Sequence, residues 1–103
     1  MRQTGNVIVD KSKAFAVRII RLYQFLKKEK KEYELSVQML NSGTSIGANV
    51  KEAIRGQSTK DFRAKLNIAL KEASETEYWL ELLVEQIILI KSNLIVSTMI
   101  VLN

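Results

Sequence analysis

The sequence predicts an all-α fold, and three observations predict it. The 103 residues contain no Pro and only four Gly, so the punctuation that sheets and long loops require is nearly absent. Apolar residues make up 47% of the chain, enough to build a core and too many for a disordered basic tail. Those residues recur at alternating steps of three and four, the period of one helix face. Three helical stretches follow, with a shorter fourth behind them, in a single domain spanning 1–103.

The first stretch runs from about Val9 to Lys30. Ile8, Ser12, Phe15, Ile19, Leu22 and Leu26 form its seam. Asp10 stands where an acidic residue favours a helix N-terminus, and Lys27, Lys28, Lys30 and Lys31 stand where cations favour the C-terminus. The second stretch runs from about Tyr33 to Arg55. Val37, Leu40, Thr44, Gly47 and Ile54 share a face, with Met39, Ile46 and Val50 alongside. Gly43 and Gly47 lie four apart, and each costs about 1 kcal/mol of helix propensity against Ala. Such a cost is tolerated where small residues admit a close neighbour; a helix break or a ligand approach is the competing reading.

Gly56-Gln57-Ser58-Thr59 is the clearest turn. Gly56 suits a left-handed cap on the second helix, and Ser58 or Thr59 suits the N-cap of the third. Asp61 then falls in a first turn that favours negative charge. The third stretch, about Thr59 to Leu89, has the strongest pattern. Phe62, Leu66, Ala69, Ala73, Thr76, Leu80, Leu83, Ile87 and Ile90 alternate steps of four and three throughout. This is a heptad seam, the mark of an antiparallel bundle or a coiled coil. Its narrow middle, Ala69-Ala73-Thr76, is expected to receive the Gly43/Gly47 stripe. Lys91-Ser92-Asn93 reads as a connection to a short apolar helix, Leu94 to Leu102. That helix is too short and too apolar to stand alone, so the bundle, another subunit or both must cover it.

The chain has no His and no Cys. An imidazole base, a thiolate nucleophile, a disulfide and the usual zinc ligands are therefore excluded. Ser42, Ser45, Ser58 and Ser74 lack a base, and no Gly-rich phosphate loop is present. The expectation is a protein that is not an enzyme and uses no cofactor. Glu52, Glu72 and Glu75 would suit a di-metal carboxylate centre, but such centres need Glu-x-x-His motifs, so no metal is expected. These carboxylates are expected to pair with Lys or Arg, or to bond with Asn49, Ser45 or Ser74. Glu52 and Glu72 are expected to be partly buried. Tyr78-Trp79 is a candidate stacking platform for bases, although packing at a helix or subunit boundary suits Trp79 better.

The N-terminus lacks an apolar run after its first charge, which argues against a signal peptide. Lys91-Ser92-Asn93 divides the apolar stretch Ile87–Leu102 into halves far short of the roughly 20 residues a bilayer span needs. A cytoplasmic protein without a membrane role is expected.

The formal charge of +5 is unevenly laid out. Residues 1–31 carry nine basic and two acidic groups, whereas residues 74–103 carry one and four. Symmetric assembly could gather Arg18, Arg21, Lys27, Lys28, Arg55, Lys60, Arg63 and Lys65 into a surface for phosphates. A merely solvated face, or attraction between antiparallel helices, accounts for the same layout.

Two segments are distinctive: Thr44-Ser45-Ile46-Gly47-Ala48-Asn49-Val50-Lys51-Glu52-Ala53, and the run from Lys60-Asp61-Phe62-Arg63 to Leu70-Lys71-Glu72-Ala73-Ser74-Glu75-Thr76. With Tyr78-Trp79-Leu80-Glu81-Leu82-Leu83 they resemble the bacterial four-helix-bundle family named for reading frames in intervening sequences of 23S ribosomal RNA genes. The accessory variability proteins of diversity-generating retroelements are similar, and the likeness spans roughly residues 7 to 90. The resemblance implies an antiparallel up-down four-helix bundle, here with a short or truncated fourth helix. It also implies a ring-like homo-oligomer, a pentamer. In the retroelement relatives the ring is basic and binds nucleic acid and a reverse transcriptase, so RNA, DNA, such an enzyme or another protein are the implied partners. Gly43, Ser45, Gly47, Asn49, Glu52, Phe62, Glu72, Glu75 and Trp79 are then bundle and interface determinants rather than catalytic residues. The expected function is a self-associating bundle that offers basic surface to RNA or DNA. A structural or protein-binding scaffold without a nucleic-acid role is the alternative.

Overall fold

The computed structural model describes residues 6–102, with side chains described for residues 7–87. Within these bounds the fold is all-α: α1 spans Asn6–Glu29, α2 Glu34–Ile54 and α3 Thr59–Leu102. There are three helices among the described residues, not four. The expected connection at Lys91-Ser92-Asn93 is instead part of one continuous 44-residue helix. Lys, Ser and Asn each lower helix propensity by well under about 1 kcal/mol against Ala. With neither Pro nor Gly between residues 57 and 102, nothing breaks the hydrogen-bond ladder. The Ile90 seam position and the covering expected for Leu94 to Leu102 lie outside the described side chains.

The first turn is built by residues the spacing did not single out. Lys31 has φ 55° and is the left-handed residue among the described residues. The Lys30 and Glu32 amides both donate to the Leu26 carbonyl, at 3.2 and 3.0 Å. Glu32 then caps α2: its carboxylate accepts the Ser36 amide at 2.7 Å and the Leu35 amide at 3.3 Å. The Ser36 hydroxyl answers by donating to the Glu32 carbonyl at 2.8 Å. A left-handed conformation costs a residue with a Cβ about 1 kcal/mol. Lys31→Gly is therefore expected to raise stability by up to about 1 kcal/mol, a few degrees in Tm for a domain of this size. A circular-dichroism melt reads this directly, and a lowered Tm would contradict it.

Gly56 does not take the left-handed conformation expected of it, since no Gly among the described residues has positive φ. Arg55 closes α2 with φ −93° and ψ 5°, and this bridge-region turn needs no left-handed residue. Gly56 is needed for room instead: a Cβ there would lie 3.1 Å from the Ala53 carbonyl oxygen. Ser58 does cap α3, its Oγ accepting the Asp61 amide at 3.1 Å. At the other end of the chain, α1 begins at Asn6, so Asp10 lies beyond the first turn.

α2 is the middle helix, packed against both α1 and α3. Its contacts fix an antiparallel order. Gly43 meets Ile19 of α1, Ser42 meets Thr76 of α3, and Glu52 meets Lys65 of α3. The buried core gathers Ile19, Leu26, Met39 and Leu83 from all three helices, with Leu22, Tyr23, Leu35, Leu40, Trp79, Leu80 and Ile87 packed around it. The buried face of α2 is Ser36, Met39, Ser42, Gly43, Val50 and Ala53; Met39 and Val50, expected beside the Val37–Leu40 face, belong to it, Leu40 packs at its edge and Ile54 is exposed.

The glycine stripe faces α1, not the narrow middle of α3. A Cβ on Gly43 would lie 2.9 Å from Ile19 Cγ2, and one on Gly47 3.4 Å from the Ser12 carbonyl oxygen. The narrow stretch of α3 meets α2 through a buried polar contact instead, the Thr76 hydroxyl donating to Ser42 Oγ at 2.8 Å. Several expected seam residues (Phe15, Ile54, Phe62 and Ala73) are exposed. Three helices in a row cover only part of each seam, and the side where a fourth would lie is open.

α3 sets the long dimension. Its 44 residues extend about 66 Å at 1.5 Å per residue, which matches the 67 Å long axis of the molecule. α1 and α2 are 24 and 21 residues long. The pairing of residue 42 with 76 exhausts α2 near residue 84, so residues 88–102 of α3 run past the α1–α2 turn. Among the described residues, no helix is long and apolar enough to cross a membrane.

Candidate nucleic-acid interface

The antiparallel order decides where the cations go. Lys27 and Lys28 end α1, beside the α1–α2 turn. Arg55, Lys60, Arg63 and Lys65 lie at the opposite end, around the α2–α3 turn. The length of α2, about 30 Å, separates the two groups. Arg18 and Arg21 stand between them along α1. The eight residues are therefore not one surface in a single chain.

The group at the α2–α3 turn is the denser one. A hollow there is lined by Lys51, Glu52, Arg55, Gln57, Asp61 and Lys65 together with Ala48 and Gly56. Between positions 51 and 65 the chain carries five cations (Lys51, Arg55, Lys60, Arg63, Lys65) and two carboxylates. Lys51, Arg55, Lys60 and Arg63 are all exposed. The amino end of α3 adds the partial positive charge of its first-turn amides. Such a place favours an anion. Lys51 joins the cations expected here, and its position four residues before Arg55 on one helix face is the signal that could have found it.

Two of the expected cations are already engaged. Lys65 Nζ sits 3.0 Å from Glu52 Oε1, in a pair whose side chains are 38% and 58% exposed. A pair so open to water contributes about 0–1 kcal/mol and neutralises one charge of the hollow. Glu52 is thus exposed, where partial burial was expected, because it stands at the rim of the turn. Lys27 Nζ lies 5.7 Å from the centre of the Tyr23 ring, within cation–π range.

The remaining determinants divide by role. Ser45 donates to the Asn41 carbonyl at 2.7 Å, and Asn49 Nδ2 donates to the Ser45 carbonyl at 2.9 Å. Both bonds stay inside α2 and reach no carboxylate. Glu72 is half-buried, and its main-chain oxygen lies 2.7 Å from the Thr76 hydroxyl. Glu75 is exposed and accepts from Trp79 Nε1 at 3.4 Å. Trp79 itself packs against the core, as its place beside Leu80 and Leu83 predicts. Tyr78 is exposed, with its ring 5.3 Å from that of Trp79 and tilted by 60°. Among the described residues, no group of three or more His, Cys, Asp or Glu is placed to hold a metal ion. The heptad spacing places Thr76 inward, but it gives no sign of the Glu32 cap or of the buried hydroxyls of Ser36 and Ser42, because isolated polar residues carry no periodic signal.

The chain matches the family model of the 23S rRNA-intervening sequence protein over residues 5–96. No curated protein matches it. It is similar to a protein with unknown function from the S23 ribosomal protein family of Bacteroides thetaiotaomicron VPI-5482, whose crystal structure is known at 1.70 Å. The two are 62% identical, the likeness covers 82% of this chain and 75% of the other, and the TM-score is 0.79.

Proposed function

The chain belongs to the 23S rRNA-intervening sequence protein family, and from that premise we propose that it is a non-enzymatic helical module that self-associates and holds RNA or DNA by its phosphates. The observation that carries this is the cation cluster folded around the α2–α3 turn. Arg55, Lys60 and Arg63 are exposed there beside the amino end of a long helix. Guanidinium groups and helix amides are the donors that phosphate oxygens match best. The surface offers charge without a groove-reading motif, so binding is expected to depend on backbone charge rather than on base sequence.

Self-association is supported by the open fourth side of the three-helix row. The family resemblance implies a ring of five, which requires each protomer to complete its own four-helix bundle. Among the described residues α3 is uninterrupted and there is no fourth helix. The same open apolar side favours a second reading, a scaffold that binds protein alone.

Fluorescence anisotropy with a labelled single-stranded 20-mer of RNA, and another of DNA, separates the two readings. Three phosphate contacts on a single strand give a log–log salt slope near −2 by counterion release. Affinity is then expected to fall on the order of 20-fold between 50 and 200 mM salt. Arg55→Glu/Lys60→Glu/Arg63→Glu is expected to abolish most of both the affinity and the slope. Failure of RNA and DNA to bind even at low salt would leave the scaffold reading standing.

A further inference from the structure

We propose that Glu52 is a built-in competitor for phosphate: it holds Lys65 in an ion pair and keeps that cation out of the nucleic-acid contact. This rests on the phosphate-binding reading above and assigns a regulating residue to the same site.

The hollow at the α2–α3 turn is lined by three cations, Lys51, Arg55 and Lys65, and by two carboxylates, Glu52 and Asp61. Glu52 of α2 and Lys65 of α3 meet at 3.0 Å, and among the described residues theirs is the ion pair of this turn. Asp61 is placed differently, in the cap of α3, where its amide donates to Ser58 Oγ at 3.1 Å. Lys65 is half-buried, whereas Lys51, Arg55, Lys60 and Arg63 are exposed. Of these cations it is the one least free to turn away from its partner.

A carboxylate and a phosphodiester each carry one negative charge and accept hydrogen bonds from an ammonium. When an unpaired cation neutralises a phosphate, the strand releases a counterion, and that release drives binding. Taking Lys65 from Glu52 brings no such net gain, because the freed carboxylate beside the strand draws a counterion back. The swap exchanges one exposed ion pair for another, and exposed pairs are weak. Lys65 therefore adds nothing to the contact while Glu52 holds it, and Arg55, Lys60 and Arg63 make the three phosphate contacts. Arg55 and Lys65 line one hollow, so a strand held by Arg55 passes within reach of Lys65 once that cation is released. Removing the Glu52 charge then adds a fourth contact.

Glu52→Gln keeps the length and polarity of the side chain and removes its charge. Fluorescence anisotropy of the labelled single-stranded RNA 20-mer is expected to show binding on the order of fivefold tighter at 50 mM salt. The log–log salt slope is expected to move from near −2 to near −3, as one more phosphate contact requires. Lys65→Gln is expected to leave the parental slope near −2, and Glu52→Gln/Lys65→Gln to return it there. Glu85→Gln is the control for net charge. It lies twenty residues along α3 from Lys65, about 30 Å away, and is expected to leave the slope unchanged. Circular-dichroism melts of all the variants are expected to lie within a few degrees of the parent, since the pair is open to water.

A Glu52→Gln slope that stays near −2 would overturn the competitor role and leave phosphate binding intact. A parental slope that falls when Lys65 alone is replaced would do the same, because Lys65 would then already serve the strand. Binding by neither the parent nor Glu52→Gln at low salt would overturn both.

Discussion

Met39→Ala is expected to cost the fold about 2–5 kcal/mol, the range for removing a long buried side chain from a packed core. Met39 is 0% exposed and lies where α1, α2 and α3 converge, against Ile19, Leu26 and Leu83. Truncation there removes contacts to both flanking helices at once. Small domains are stable by about 5–15 kcal/mol in total, so the loss is a large fraction of what holds this one together. A fall in Tm of about 8–40 °C is expected at fixed protein concentration, by the usual 4–8 °C per kcal/mol. Val17→Ala on α1, where the side chain is 39% exposed, is expected to change stability by no more than about 0.5 kcal/mol. Thermal melts of the two variants beside the parent decide the matter. A Met39→Ala protein as stable as Val17→Ala would place the core elsewhere.

How much of this fold the sequence disclosed depends on what kind of signal each feature leaves. The α3 seam is a repeated spacing, and repetition survives any ignorance of neighbours. Leu66, Ala69, Thr76, Leu80, Leu83 and Ile87 all turn partly or wholly inward as the heptad requires. Lys91-Ser92-Asn93 is different, because three polar residues in an apolar run resemble a loop. Polarity does not break a helix, however; only Pro or Gly does so strongly, and neither is present after Gly56. The glycine stripe of α2 was legible as a place of close approach, but a one-dimensional period names a face and not the helix that meets it. Ile19 rather than Ala73 is the neighbour of Gly43.

The candidate interface was legible in the same partial way. That the cations concentrate in particular segments is a fact of the sequence. Their division into two groups follows only once α2 is known to run antiparallel to both neighbours, which carries Lys27 and Lys28 to one end and Arg55 and Lys60 to the other. Charge alone puts Lys65 among the phosphate binders, yet it pairs with Glu52 on the adjacent helix. Residue type points to Gly56 as the left-handed residue, whereas the geometry of the first turn gives that conformation to Lys31. Glycine permits positive φ, but the path of the chain decides where it is needed.

The second large effect is expected at Gly43, and it distinguishes two glycines that the sequence presents as equivalent. A Cβ at Gly43 would stand 2.9 Å from Ile19 Cγ2 and 3.0 Å from Ile19 Cγ1. These are branch atoms near the α1 backbone, so they cannot swing away as the tip of a long side chain would. Gly43→Leu is therefore expected to push α1 off α2 and to cost about 1–3 kcal/mol or more through overpacking. At Gly47 the nearest atom is the Ser12 carbonyl oxygen at 3.4 Å, an ordinary contact. Gly47→Ala is accordingly expected to be neutral or to stabilise by up to about 1 kcal/mol through helix propensity. Ile19→Ala makes the assignment specific. Alone it costs about 2–5 kcal/mol, but in Gly43→Leu/Ile19→Ala each change relieves the fault of the other. The double variant is expected to be more stable than the two single losses added together by about 0.5–3 kcal/mol. Urea unfolding of the four proteins of the cycle measures that coupling. Strict additivity would mean that Gly43 and Ile19 do not touch, and that α1 meets α2 along some other line.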